Sequence, residues 1–218
     1  YRLVGPAGVE RLFVFEGNGR MRQAVSDDGG KTWSAMKENG LETVMPFTSI
    51  IRLADGRFLG GWNRQKETWI SLSADGGLSW GPARSIAKAN DRFPGAWPAE
   101  PALVRSPDGG EIACLMRENS RVFHSLVTFS RDEGQTWTEM TELSRSLTGD
   151  RHQPRYASDG RLVIPFRDTA PGSLTSGHFV AWVGTYEEMA AGRPGQYRVK
   201  LLHSHAGRDC GYPGLELL

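Results

Sequence analysis

The 218-residue chain carries 26 basic and 25 acidic residues, which gives a formal net charge of +1. This balance excludes the broad basic surface that nucleic acids or anionic membranes require, so any anion must be recognised locally. The 27 glycines and 12 prolines favour many short strands joined by tight turns. The sequence has no run of 18 apolar residues, so no membrane-spanning helix is predicted. Its two cysteines are too few for a disulfide framework. The sequence therefore predicts no nucleic-acid partner and no membrane insertion, and it leaves the oligomeric state open.

The first predicted strands precede a motif that recurs along the chain. A strand over residues 11–15, a Gly-Asn-Gly turn at 17–19 and a strand over 21–25 lead into the octamer at 26–33. Its frame, Ser-x-Asp-x-Gly-x-(Thr/Ser)-Trp, returns at 73–80 and 130–137, so the copies begin 47 and 57 residues apart. Asp and Gly suit turn positions, and we expect each terminal Trp to fold under its turn and become buried. The spacing predicts a repeat architecture.

A second repeat lies inside the first. Asp-Gly pairs at 55–56, 108–109 and 159–160 each separate two apolar runs, which is a strong hairpin signal. Two hairpins per roughly 50 residues give about four short strands per unit, the arrangement of a β-propeller blade. One helical turn is predicted at 186–191.

We predict an all-β fold, in which the chain is a single partial β-propeller domain of about four blades plus part of another. The predicted blade-like units are residues 1–40, 41–90, 91–145, 146–198 and an incomplete 199–218.

Three arginines follow the same predicted strand of successive units. Arg64, Arg117 and Arg167 come eight or nine residues after the Asp of their Asp-Gly turns. Equivalent positions on blades around an axis would converge, and guanidinium groups there would bind a carboxylate. Alternatively, they end strands at a solvated rim.

Two further residues are candidates by position. Glu100 lies between prolines at the entry to a strand, and Tyr212 lies in a glycine-rich turn. The alternatives are a surface-loop glutamate and a packing tyrosine. Trp62, Trp97 and Trp182 are candidates for stacking on a sugar. His203 and His205 lack a carboxylate or cysteine at ligand spacing, so no metal site is predicted.

The three octamers resemble Asp boxes, which also occur in sorting receptors, other glycosidases and assembly factors. Together with Glu100-Pro101, the Asp108-Gly109 turn and Met116-Arg117, they resemble the exo-α-sialidases (neuraminidases), which are six-bladed β-propeller glycosidases. The resemblance spans most of the chain. It implies a retaining hydrolase without a cofactor that releases terminal sialic acid from a sialylated glycan. It also implies secretion or a periplasmic location, where such substrates are found.

The resemblance implies roles for individual residues. In such enzymes three arginines bind the substrate carboxylate, a tyrosine attacks the anomeric carbon, a glutamate polarises the tyrosine, and an aspartic acid protonates the leaving oxygen. Sialidases are thereby an exception to hydrolysis by two carboxylates. Glu100 resembles the glutamate, Arg117 the second arginine and Tyr212 the nucleophile.

The sequence departs from the family pattern at several points. The third arginine often begins a later strand, where this chain has His178, which is itself a candidate for substrate binding. We expect Arg167 to replace the arginine. Pro213 follows Tyr212 where many members have Ser. The first arginine and the acid aspartate are expected in a blade that precedes Tyr1, in which case the chain alone is inactive.

The polar segment 150–155 is a further candidate for lining a pocket. There, His152 or Gln153 would bind a glycerol or N-acyl group, although a solvated loop is the alternative. Two other functions remain open at this point. The first alternative to a sialidase is part of a propeller glycosidase for another sugar. The second is a non-catalytic propeller that binds a glycan or a protein.

Overall fold

A computed structural model describes residues 1–205, 207 and 210–215. Four antiparallel sheets contain nearly all of the regular structure, which confirms the predicted all-β class. The chain divides into two compact units, residues 1–86 and 87–218. Whether these form one domain, and whether the blade-like bounds are right, stay predictions. Among the described helices, none is long and apolar enough to cross a membrane.

The first sheet has the order β1-β2-β3 and begins the first unit. Its strands are β1 (Arg2–Val4), β2 (Glu10–Ser26) and β3 (Lys37–Thr43), and a short 3-10 turn spans Pro6–Gly8. The predicted turn at 17–19 is wrong, because β2 continues through it. A Cβ on Gly17 would lie 2.6 Å from Thr43 Cγ2 and 2.9 Å from the Pro46 nitrogen, so this glycine permits a close approach of two chain segments.

The second sheet has the order β4-β5-β6-β7. Its strands are β4 (Ser49–Arg52), β5 (Phe58–Arg64), β6 (Glu67–Ser73) and β7 (Arg84–Ala87). Apolar side chains of β1, β2, β3 and β5 form one core with residues of the connecting segments, and this core includes Phe13, Met21, Phe47, Trp62 and Trp80. Trp62 is fully buried in that core, so the prediction that it stacks on a sugar is wrong.

The third sheet lies in the second unit and has the order β11-β10-β9-β8. Its strands are β8 (Pro98–Arg105), β9 (Ile112–Glu118), β10 (Leu126–Ser130) and β11 (Thr141–Glu142). Between β8 and β9, Ala99 pairs with Arg117 but Ala102 pairs with Leu115. Two residues of β8 therefore face one residue of β9, which is a β-bulge.

The fourth sheet has the order β12-β14-β15-β16, with β13 also paired to β14. Its strands are β12 (Gly149–Asp150), β13 (Arg155–Tyr156), β14 (Leu162–Asp168), β15 (Phe179–Gly184) and β16 (Tyr197–Leu202), and a 3-10 turn at Arg145–Leu147 precedes them. The predicted helical turn is confirmed as α1 (Tyr186–Ala190), which a Thr185–Glu188 capping box begins. Trp182 lies in the core of this unit, which corrects its predicted role in stacking on a sugar.

The three octamers form the predicted turns with one shared hydrogen-bond pattern. The hydroxyl of the first serine accepts the N–H of the last glycine at 2.9, 2.8 and 2.8 Å in the three copies. The aspartate accepts the hydroxyl of the following Thr or Ser. The Asp-Gly turns are confirmed as well, since Gly56, Gly109 and Gly160 have positive φ and donate N–H three residues back.

The octamer tryptophans do not share one environment, contrary to expectation. Trp80 is 9% exposed and packs against Phe47 with ring centroids 4.3 Å apart. Trp33 is 43% exposed, and its indole N–H donates to the carbonyl of Gly30 at 3.1 Å. Trp137 is half-buried and makes the same bond to Gly134. The predicted burial of the tryptophan is therefore confirmed for Trp80, whose apolar contacts come from a neighbouring aromatic cluster.

Candidate active site

The candidate site is built around Asp150 in the second unit. Asp150 pairs with Arg167 across β12 and β14, and its side chain is 1% exposed. Arg167 Nη2 donates to Asp150 Oδ2 at 2.8 Å. Arg121 donates to both carboxylate oxygens, at 2.7 and 3.0 Å, and Arg117 Nε lies 3.0 Å from Oδ1. Three guanidinium groups from separate segments therefore meet at one buried carboxylate.

The electrostatics of Asp150 follow from these partners. Burial by itself raises the pKa of the Asp150 carboxyl, because the charged form loses hydration. The hydrogen bond from Arg121 and the charges of Arg117 and Arg121 outweigh burial, and the pKa is lowered. Asp150 is thus ionised near pH 7, and it fixes the directions of the arginines around it.

Glu100 sits in the β-bulge of β8 with a φ of +51°, in the left-handed region that residues with a Cβ seldom adopt. A bulge redirects a side chain, and this one brings the Glu100 carboxylate to Arg117, whose Nη1 donates to Oε1 at 3.3 Å. Arg151 Nε lies 3.6 Å from the same oxygen. The other oxygen, Oε2, is buried and accepts no hydrogen bond from the described residues.

Tyr212 lies against two of these arginines. The Cζ atom of Arg151 is 4.6 Å from the centre of its ring, and that of Arg167 is 5.2 Å away. Both are cation–π contacts, and the tyrosine remains 50% exposed. The structure thus joins four predicted residues in one network: Glu100, Arg117, Arg167 and Tyr212.

Sequence reasoning missed three members of the network: Arg121, Asp150 and Arg151. Arg121 lies in the loop after β9 with a φ of +64°. The buried carboxylate of Glu118 shapes that loop by accepting N–H groups from Ser120, Val122 and Phe123. The polar segment 150–155 was a sequence signal for Asp150 and Arg151, although the prediction named other residues within it.

The two residues predicted from that segment lie differently. His152 is fully buried and stacks on Phe166 with ring centroids 5.3 Å apart, while Nε2 lies 3.0 Å from the Leu147 carbonyl. Burial lowers its pKa to about 4, so the ring is neutral near pH 7. These contacts belong to the core and give no support to ligand binding by His152. Gln153 is half-buried, and its backbone N–H donates to Pro165.

The remaining predicted residues have other partners. His178 accepts the backbone N–H of Ser204 through Nδ1 at 3.0 Å, and its ring lies 4.2 Å from that of His203. Arg64 belongs to the first unit, where it forms an ion pair with Glu42 and lies over Trp69. Roles for His178 and Arg64 in substrate binding stay predictions.

The described part of the network holds more guanidinium groups than carboxylates. Four guanidinium groups surround two carboxylates: those of Arg117, Arg121, Arg151 and Arg167 around those of Glu100 and Asp150. The described residues thus place several cations at one buried centre. A guanidinium group keeps its charge and binds carboxylate through paired N–H donors. The arrangement is suited to an anionic ligand.

Comparisons with known proteins bear on the family resemblance and on the fold. The BNR/Asp-box repeat model matches residues 24–35. A sialidase of Clostridium perfringens is 27% identical over 178 residues, which are 66% of this chain and 46% of that protein. The chain therefore spans about half the length of this relative, and the predicted resemblance to Asp-box sialidases is confirmed.

Solved structures give the fold. A protein of Dyadobacter fermentans described as of unknown function has a TM-score of 0.63 at 17% identity, over 84% of this chain and 52% of that one. The intramolecular trans-sialidase of Ruminococcus gnavus, solved with oseltamivir carboxylate, has a TM-score of 0.60 at 17% identity, over 84% and 41% of the chains. The fold is that of a partial sialidase-type β-propeller.

Proposed function

We propose that the protein is a sialidase-like glycoside hydrolase that releases terminal sialic acid from glycoconjugates. The observation that carries this proposal is that Arg117 and Arg167 meet at one centre beside a tyrosine and a buried glutamate. Sialic acid bears its carboxylate on the anomeric carbon, so the anion and the reacting atom enter the site together.

Arg117 and Arg167 bind the substrate carboxylate in this proposal. A guanidinium group has five N–H donors in a fixed planar arrangement that matches a carboxylate. Asp150 contacts both groups and fixes their directions. Because the arginines are already oriented, little conformational entropy is lost when the substrate binds.

Tyr212 acts as the nucleophile and Glu100 as its base. An anionic nucleophile would be repelled by the substrate carboxylate, whereas a neutral phenol is not. The phenol oxygen bonds to the anomeric carbon as its proton passes to Glu100, and the glycosidic oxygen leaves with a proton from a separate acid group. Water then cleaves the tyrosyl intermediate, and the anomeric configuration is retained. The buried Oε2 of Glu100, which accepts no hydrogen bond from the described residues, supports its role as the acceptor.

A second candidate is hydrolysis of another acidic sugar. In this proposal the arginines bind the carboxylate, a group that sialic acid shares with other acidic sugars. A uronic acid also carries a carboxylate, so the meeting of Arg117 and Arg167 supports this candidate as well.

The test is hydrolysis of a fluorogenic α-sialoside by the intact protein, compared with a matched glucuronide. Tyr212→Phe should lower kcat at least about 100-fold, the range for loss of a positioned proton-transfer group. Arg117→Ala should mainly raise KM. Circular dichroism checks that both variants are folded. A folded protein that cleaves the glucuronide alone favours the second candidate, and one that cleaves neither substrate contradicts both.

A further inference from the structure

We propose that Arg151 is a positioning residue that holds the glutamate and the tyrosine of the site on one guanidinium group. The inference rests on the proposed roles of Glu100 and Tyr212 and adds to them a residue outside the predicted carboxylate-binding arginines. Its basis is that Arg151 contacts both members of the pair, at 3.6 Å from Glu100 Oε1 and 4.6 Å from the Tyr212 ring centre.

The backbone at Arg151 points to a functional constraint. Its φ is +57°, and Glu100, its ion-pair partner, has a φ of +51°. Glycine is the residue that adopts this region without steric cost, and long side chains rarely do. Such outliers persist where the surrounding structure holds them and are concentrated at functional sites. Arg151 and Glu100 both have such a conformation and form an ion pair with each other. This indicates that the positions of both side chains are functionally constrained.

The guanidinium group of Arg151 has two surfaces with different partners. Its Cζ atom lies over the Tyr212 ring, and its Nε lies near the Glu100 carboxylate. A guanidinium group is planar and delocalised, so it can stack on a ring while its edge pairs with a carboxylate, whereas a lysine ammonium group has no planar face to stack. The side chain is 20% exposed, and its buried Nε donates no hydrogen bond to the described residues.

Arg167 also covers the tyrosine ring, but its guanidinium donates to Asp150. Arg151 differs because its carboxylate partner is Glu100, the proposed base. Its pairing with Oε1 leaves the second oxygen for the phenol. A displacement of about 1 Å between the proposed base and nucleophile is enough to lower a rate strongly. A change in the position of the Arg151 guanidinium group should therefore lower kcat.

The experiment uses the intact protein and three variants. Arg151→Asn removes the cation and keeps a residue that tolerates positive φ. Arg151→Lys keeps the charge and loses the planar group. Arg161→Asn is the matched control, because Arg161 also lies over a tyrosine, Tyr197 at 5.8 Å, beside the Asp159-Gly160 turn.

Three quantities are measured for each variant: kcat and KM on the fluorogenic sialoside, Kd for free sialic acid by calorimetry, and the rate at which Ellman's reagent modifies Cys210. Cys210 is half-buried and two residues from Tyr212, whereas Cys114 is fully buried and burial raises the pKa of its thiol. A Cys210→Ser background identifies the Cys210 signal. This rate reports on the tyrosine segment without requiring activity.

Arg151→Asn should lower kcat 10-fold to 100-fold, change Kd by less than threefold and raise the Cys210 rate at least threefold. Arg151→Lys should recover part of kcat, and Arg161→Asn should match the wild type. A normal kcat with a weakened Kd would make Arg151 an anion ligand and overturn the proposal, as would an unchanged Cys210 rate. Loss of the fold in both Arg151 variants would also overturn it. If the wild type hydrolyses no sialoside, the proposed function fails, and the Cys210 rate still decides whether Arg151 holds Tyr212.

Discussion

The octamer turns and the arginine network both stabilise aspartate carboxylates, but they do so with different partners. In the first octamer, the hydroxyl and N–H of Thr32 and the hydroxyl of Ser26 lower the pKa of Asp28 to about 2. All of these donors lie within four residues and none carries a charge. Asp150 instead takes guanidinium groups from residues 17 and 29 positions away, Arg167 and Arg121.

The difference teaches what each region can do. A carboxylate satisfied by neighbouring neutral donors forms a closed turn that leaves no charge for a ligand. The Asp150 carboxylate is instead shared among arginines from two strands and a loop, and guanidinium groups held in this way are suited to binding a further anion. The turns therefore stabilise the fold, and the network is the proposed anion site.

The largest expected effect comes from Asp150→Asn, which breaks the network at its centre. Removing one partner of a buried ion pair leaves cations uncompensated and typically costs about 3–5 kcal/mol. We expect a loss near the lower end, since Arg121 is partly exposed. Urea unfolding measures it. Asp28→Asn in the first turn is the matched comparison, and an equal loss there would remove the distinction between the two regions.

Next in size is the difference between two tryptophans of the same motif. Trp80→Ala should cost about 3–5 kcal/mol through cavity formation, because this ring is buried among aromatic side chains. Trp33→Ala should cost about 1 kcal/mol or less, because its ring is largely exposed. Thermal and urea unfolding measure the loss of stability in the two variants. Similar losses would contradict the explanation that burial of the ring sets the cost.

Acidification should weaken the second unit through its buried carboxylates. Burial raises the pKa of Glu118, Asp150 and Asp168, but hydrogen bonds to Glu118 from Ser120, to Asp150 from Arg121 and to Asp168 from Ser173 leave all three values lowered. Because the folded values lie below the unfolded values of about 4, this stabilisation is complete above about pH 5 and is lost as the pH falls through the folded values.

Urea unfolding between pH 6 and pH 3 tests this expectation. The free energy of unfolding should fall by about 1–3 kcal/mol, and the fall should be smaller in Asp150→Asn, which lacks one of the three groups. A stability that rises towards pH 3 would contradict the assignment.

The smallest expected effect concerns the one octamer that lacks its first glycine. Glu133 replaces Gly29 and Gly76 of the other copies and has a φ of +57°, while its carboxylate makes two hydrogen bonds to Arg105, at 2.6 and 2.8 Å. Glu133→Gly removes backbone strain of about 1 kcal/mol and an ion pair worth up to about 1 kcal/mol. The stability should change by less than about 1 kcal/mol, and a larger loss would show that the pair carries more than the strain costs.

The same contrast explains how much the sequence could predict. The octamer and Asp-Gly turns were predictable because their partners lie within a few residues. The different burial of Trp33 and Trp80 was not predictable, since it depends on Phe47 and other aromatic residues that are distant in sequence. The prediction of a turn at 17–19 was wrong for a related reason. Gly17 is required by the close approach of the segment near Thr43, which is distant in sequence, and not by a local turn.

The candidate site shows the same division. The recurring arginine positions predicted Arg117 and Arg167, and the family resemblance indicated Glu100 and Tyr212. The carboxylate that joins the arginines was not predicted, because a two-residue strand such as β12 has no hydrophobic pattern of its own. His152 and Gln153 were predicted together from the polar segment, but His152 is packed in the core.

The most direct test of the central claim compares two ligands that differ in one charge. Calorimetry with the intact protein would measure the affinity for sialic acid and for its methyl ester, in wild type and in Arg117→Ala. Charged hydrogen bonds are worth about 1.5–3 kcal/mol, so the acid should bind at least about tenfold more tightly, and Arg117→Ala should reduce the difference. Equal affinities for the acid and the ester in the folded wild type would contradict the account of the arginine network.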